Sequence, residues 1–165
     1  AVVVYDDPEK PVEELNKTMD SISSLDYNKN IIAILVSSYP ARGMRALVHT
    51  TNVIQASGYM FSEATMHNED LVKYRDTECF QKVWKYKPSY FVKIRSGSTI
   101  PSDTFSKVQE SLNEKLNQTI YFDRGDFAVI RSSVARQFYL ECGEYDIMVE
   151  HLKLLAKEQN KYEEL

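Results

Sequence analysis

Two wholly apolar runs separated by one amphipathic helix constrain this chain more than any other feature. Val2, Val3, Val4 and Tyr5 form a short continuous apolar segment, and residues 31–36 form a second. Neither alternates polar with apolar residues, so both read as strands buried on both faces. Between them, Val12, Leu15, Met19, Ile22 and Leu25 recur at three- and four-residue spacing, the stripe of a helix with one apolar face. Pro11 opens that helix, where its missing N–H costs nothing. Glu13 and Glu14 follow in the first turn, where the helix dipole favours negative charge. Strand, helix and strand within about 35 residues make a βαβ unit, whose two strands run parallel through a right-handed crossover.

A third apolar run, residues 90–94, is expected beside the first two, in one sheet with the helix of residues 12–25 packed on its face. It leads into a polar turn, residues 95–99, with Gly97 at the centre, where backbone can approach a ligand. Pro101 with Ser102 or Asp103 then starts a helix whose apolar face is Phe105, Val108, Leu112 and Leu116. Open α/β sheets bind ligands where a buried strand ends in a polar loop before a helix. That makes residues 95–99 a candidate site, against the plainer reading of a connecting loop.

The remaining segments are read the same way. Residues 44–54 form a helix closing near Gly58, and residues 59–66 are ambiguous, with a strand as one reading. Residues 69–87 are mostly helical. There Lys82, Lys85 and Lys87 interleave with Trp84 and Tyr86, either as a nucleic-acid contact surface or as a solvated helix face. Residues 120–122 and 127–131 are short strands around the turn Asp123, Arg124, Gly125, Asp126. Ser132 and Ser133 cap a helix closed by Gly143. A last helix turns Ile147, Met148, Leu152 and Leu155 to the core, and residues 157–165 are polar and expected to fray.

At 165 residues the expectation is one domain, 1–165, with a respectable core. Apolar and charged fractions are ordinary for a globular protein, and the net charge of −4 argues against nucleic acid as a partner. Neither a signal peptide nor a spanning segment is visible, so no membrane insertion and a cytoplasmic location are expected, with Cys79 and Cys142 as reduced thiols. The 11 tyrosines and 7 phenylalanines are many for this length; they line a stacking site or fill the core.

Read in order, these parts resemble the GT-A nucleotide-sugar fold, most closely inverting glycosyltransferases of the family-two type. The apolar opening strand with Asp6, and the helix Glu13, Glu14, Leu15, Asn16, Lys17, Thr18, Met19, Asp20, Ser21, Ile22, are similar to that family's opening. So is the turn Asp26, Tyr27, Asn28 before the second strand. Its later strand, acidic loop, proline and helix are similar to residues 90–94, residues 95–98, Pro101 and residues 103–116. Its closing strand and Gly-Gly-Phe-Asp-like turn are similar to residues 127–131 and to Cys142, Gly143, Glu144, Tyr145, Asp146. Residues 41–87 match little beyond Asn52, Ala56, Ser57 and Gly58.

The resemblance implies an α/β fold: a single-domain, GT-A-like (Rossmann-like), mostly parallel sheet flanked by helices. It also implies a nucleotide-sugar ligand. Departures from the family pattern fall on its chemistry. The acidic pair that reads the nucleotide base falls on Ser37 and Ser38. The Asp-x-Asp motif that holds a divalent cation falls on Arg95, Ser96 and Gly97, which offer no carboxylate, and an arginine there repels a metal. No metal and no cofactor are therefore expected. The catalytic base falls on Glu150 and His151, either of which can take a proton from a sugar hydroxyl, against the plainer reading of an amphipathic helix surface. Tyr5, Asp6, Ser38, Arg95 and Gly97 are the candidate nucleotide-binding residues. Two functions stay open. One is a divergent, non-catalytic binding or assembly module with a protein partner. The other is a metal-independent glycosyltransferase in which Arg95 neutralises the leaving diphosphate.

Overall fold

The three apolar runs lie side by side, as their composition requires. The structure is a computed structural model that describes residues 1–5, 7, 9–26, 33–37, 59–63, 84, 87–142 and 145–165. The strands are β1 (Val2–Tyr5), β2 (Ala33–Ser37), β3 (Tyr59–Glu63), β4 (Tyr90–Arg95), β5 (Tyr121–Asp123), β6 (Ala128–Arg131) and β7 (Tyr162–Glu164). The helices among the described residues are α1 (Val12–Ser23), α2 (Thr104–Glu114), α3 (Ser132–Cys142) and α4 (Tyr145–Glu158). The seven strands among the described residues join one sheet in the order β3-β2-β1-β4-β6-β5-β7. β1 pairs in parallel with both β2 and β4, β2 with β3, and β5 with β7; β6 runs against both its neighbours. The expectation of β1, β2 and β4 as parallel neighbours holds, and the ambiguous residues 59–63 are a strand.

Strand alternation sends successive side chains to opposite faces, and each face has its own helical layer. Val2, Val4, Val92, Ile94, Phe122 and Val129 face Leu15, Met19 and Ile22 of α1 and Val108 and Leu112 of α2. On the other face, Val3, Phe91, Tyr121 and Ile130 pack with Ala135 and Tyr139 of α3 and with Met148, Leu152 and Ala156 of α4. Trp84 joins this second layer, its ring centroid 6.3 Å from that of Phe91. Its indole is therefore core material; Lys82, Lys85 and Tyr86 lie outside the described residues.

Several local expectations are corrected. Leu116 is 80 % exposed rather than part of the α2 face. The helix stops at Glu114, Leu116 and Asn117 take positive φ, and the Asn117 N–H returns to the Leu112 carbonyl, a Schellman closure that swings Leu116 outward. The buried stripe of α4 is Met148, Leu152 and Ala156, four residues apart, which leaves Ile147 off it and exposed. Asp103 makes no side-chain cap on α2 and pairs instead with Lys107 at 2.8 Å. The cap comes from Asp26, past the end of α1, whose carboxylate accepts from the N–H and the hydroxyl of Ser106. Ser132 does not cap α3 with its hydroxyl: β6 runs straight into the helix, and the buried Oγ makes no hydrogen bond.

The largest correction concerns residues 157–165. They do not fray: α4 continues to Glu158, and β7 pairs with β5 in the register Tyr121–Tyr162, Phe122–Glu163, Asp123–Glu164. Polar composition misleads there because Tyr162 and Glu163 find polar partners across the fold. The helices expected at 44–54 and 69–87 (Trp84 and Lys87 apart), the loop with Ser38, and the residues Asp6, Cys79 and Gly143 lie outside the described residues.

Candidate functional site

The connections at the carboxyl ends of β1 and β4 leave on opposite courses: β1 continues through α1 to β2 on one side, while β4 lies on its other side. This divergence is the switch point where open α/β sheets receive ligands. Tyr5 and Arg95 are register partners at that end, so the fold brings together two of the sequence-predicted residues. Arg95 is exposed, and Lys93, two residues earlier on the same face, is half-buried. Ser37 closes β2 in register with Glu63 of β3, so the expected serine lies at the same edge, with a glutamate on the next strand.

Beyond Arg95 the turn folds back on α1. Ser96 is fully buried; its hydroxyl accepts from the Asp7 N–H at 2.9 Å, and its carbonyl accepts from the Lys10 ammonium at 2.9 Å. Gly97 takes φ +95°, a conformation open to glycine, and its N–H donates to Thr18 Oγ1 at 3.0 Å and to the Glu14 carbonyl. A Cβ there would stand 3.1 Å from Lys10 Nζ and 3.2 Å from Glu14 Oε2. The Thr18 hydroxyl donates in turn to the Ser98 carbonyl at 2.7 Å, and Ser21 Oγ accepts from the Ile100 N–H. The turn's backbone is thus tied to α1 at Gly97, Ser98 and Ile100 and to Lys10 at Ser96, and Gly97 serves the approach of turn to helix.

Thr18, fully buried, is the clamp, and it drew no attention in the sequence because threonine on a helix stripe carries no signal of its own. Thr18→Val keeps the shape and removes the hydroxyl's bonds to the Gly97 N–H and to the Ser98 and Glu14 carbonyls, stranding the Ser98 carbonyl. It is expected to lower stability by about 1–2 kcal/mol, measured by denaturant unfolding.

Glu150 and His151 are both exposed on α4, which packs on the sheet face shared by Phe91 and Tyr121. Glu150 acts electrostatically on Tyr121 and on Lys153, which places it over β5. β5 is two strands from β4, roughly 10 Å at ordinary strand spacing. The fold puts Glu150 on the Arg95 side of the sheet without joining them in one contact.

Between these places lies a cluster the sequence did not suggest. Asp123 ends β5; its Oδ2 accepts from the Tyr162 hydroxyl at 2.7 Å and from the Lys153 ammonium at 2.5 Å, and its Oδ1 accepts from the Gly125 N–H at 3.0 Å. Burial pushes the Asp123 carboxyl up, but Lys153, Tyr162 and the Gly125 N–H together outweigh it and hold the group below its ordinary value. The bond to Asp123 raises Lys153 correspondingly. Burial raises the phenols of Tyr121 and Tyr162, whose rings stack 5.8 Å apart. The available signal was an acidic residue before a glycine turn, which reads as turn chemistry alone. Among the described residues no three His, Cys, Asp or Glu side chains gather as a metal site, and no helix is long and apolar enough to cross a membrane.

The fold is α/β and GT-A-like, a mostly parallel Rossmann-like sheet flanked by helices. It is similar to that of S. aureus TarS. The crystal structure of TarS 1–349 superposes with a TM-score of 0.60 at 7 % identity, covering 82 % of this chain and 48 % of that one. A second crystal structure of S. aureus TarS gives 0.60 at 8 % identity, covering 83 % and 29 %. TarS 1–349 in complex with UDP-GlcNAc gives 0.49 at 9 % identity, covering 74 % and 34 %. This chain spans about half the length of the shorter TarS chain and under a third of the longer. At such identities the likeness shows a glycosyltransferase-like fold. No protein-family model and no curated protein matches the sequence.

Proposed function

We propose that this chain is a divergent glycosyltransferase-like domain acting as a binding or assembly module without metal-dependent catalysis. The observation that supports it is the β4 turn. The residues in the place of the family's metal-binding motif are Arg95, Ser96 and Gly97, and the polar groups of Ser96, Gly97 and Ser98 are engaged by Asp7, Lys10 and Thr18. A cationic strand end followed by an inward-facing turn suits holding a partner better than holding a hard cation, which needs oxygen ligands. The working surface in this reading is the carboxyl edge at Tyr5 and Arg95, with Asp6 and Ser38 as further candidates from the sequence, and the partner is a protein.

A second reading rests on the exposure of Arg95 at the switch point. There a guanidinium could neutralise the diphosphate of a nucleotide sugar, UDP-GlcNAc being the one crystallised with TarS, with Glu150 or His151 as base. Calorimetry with UDP and UDP-GlcNAc, with and without Mn²⁺, separates the two. The module is expected to show no heat and no thermal stabilisation at millimolar ligand, in wild type and in Arg95→Ala alike. Tight metal-independent binding by the wild type, weakened in Arg95→Ala by about 1.5–3 kcal/mol, overturns the module in favour of the transferase. Binding that requires Mn²⁺ overturns both.

A further inference from the structure

β7 is the edge of the sheet, three residues long, and its hold on the fold is mostly polar. Its apolar contributions are the stack of Tyr162 on Tyr121 and the partly buried Leu165 beyond its end. Beyond the backbone ladder to β5, two carboxylates hold it. Asp123 on β5 accepts from the Tyr162 hydroxyl, while Glu163 on the strand accepts from Ser111 Oγ of α2 and from the ammonium of Lys115, which caps that helix, at 2.5 Å. One contact thus ties β7 to its neighbour strand and the other ties it to the helix layer, from opposite faces. We propose that β7 is a detachable strap, latched by these two carboxylates and released by their neutralisation while the central strands stay folded. Release uncovers the outer edge of β5 and the ring of Tyr121.

The charges around the latches set the direction of the response. Asp123 is faced by Lys153 of α4, by Tyr162 of β7, by Tyr121 of its own strand and by the Gly125 N–H of the following turn, with Glu150 and Glu164 acting on Lys153; Glu163 is faced by Lys115 and Ser111. Lys157 lies 4.6 Å over the Tyr162 ring. Glu163 is pushed up by burial and pulled down further by Lys115 and Ser111, so it too is held below its ordinary value. A carboxylate bound more tightly when charged loses that binding as the pH falls through its lowered value, so acid loosens both latches. The central strands are held by the uncharged packing of Val2, Val4, Val92 and Ile94, which does not titrate, so the opening is confined to β7.

Amide hydrogen exchange tests this without any ligand. The probes are the N–H groups of Ile120 and Tyr121, which donate to the Lys161 carbonyl, and that of Leu165, which donates to the Asp123 carbonyl. Moving from neutral pH to about pH 3.5, below the ordinary carboxylate values, should cut their protection roughly tenfold after correction for intrinsic rates, while β1 and β4 amides stay clearly better protected than those of the strap. Glu163→Gln at neutral pH should reproduce part of the loss, with circular dichroism reporting a folded domain. Strap and central strands exchanging with one common protection at acid pH, strap amides indifferent to pH, or Glu163→Gln leaving their exchange as in wild type would each overturn the proposal.

Discussion

Phe122→Ala is expected to destabilise the domain by about 3–5 kcal/mol, the ordinary cost of deleting a fully buried aromatic ring. Phe122 is completely buried, on β5, with Val129 of β6 as its register partner. Val129 is in turn opposite Val92 of β4, and Val92 opposite Val2 of β1, so one rung of apolar side chains runs across four strands. Val108 and Leu112 of α2 belong to the same cluster. Removing the ring opens a hole between sheet and helix that neighbours fixed by strand register cannot collapse to fill. Thermal unfolding should fall by roughly 10 °C. Phe122→Leu, which keeps most of the volume, should cost less than about 1.5 kcal/mol. A small effect from both substitutions in denaturant unfolding would mean that β5 is not seated as described.

Asp123→Ala is expected to cost about 2–4 kcal/mol, because it strips partners from Lys153 and Tyr162 at once. The Asp123 side chain is 11 % exposed and that of Lys153 31 %, so solvent screens this pair far less than a surface bridge. The pH dependence follows from the same contacts. Asp123 and Glu163 are lowered in the folded state, so their contribution is present above the unfolded carboxylate values and is lost as pH falls through the lowered ones. Lys153 is raised, so its contribution is present below the unfolded lysine value and lost as pH rises through the raised one. Wild-type stability should therefore be flat near neutrality and fall toward both ends. In Asp123→Ala the acid fall should be shallower. A wild-type urea midpoint indifferent to acid, or an acid slope unchanged in the variant, would contradict this account.

What the amino-acid sequence by itself determined is the parallel centre of the sheet. Apolar runs at 2–5 and 90–94, and the described part of 31–36, have no polar face to show water, so they could only be inner strands. The intervening stripe of Leu15, Met19 and Ile22 could only lie on them. The order of parts also carried the GT-A-like fold, which is similar to that of TarS at 7 % identity. That β1 and β4 are neighbours was legible from their apolar runs, whereas the register that sets Tyr5 opposite Arg95 came from the structure. What the sequence left open was everything held by polar contacts over long separation. Residues 157–165 look like a solvated tail until Glu163 meets Lys115 and Tyr162 meets Asp123. Asp103 looks like a cap until Asp26 takes that place from the far end of α1. Gly97 looks like a ligand loop until Thr18 binds it to the helix. A burial pattern repeats along the chain and can be read there, whereas a hydrogen bond between residues 39 or 80 positions apart exists only once tertiary packing has brought its donor and acceptor within reach.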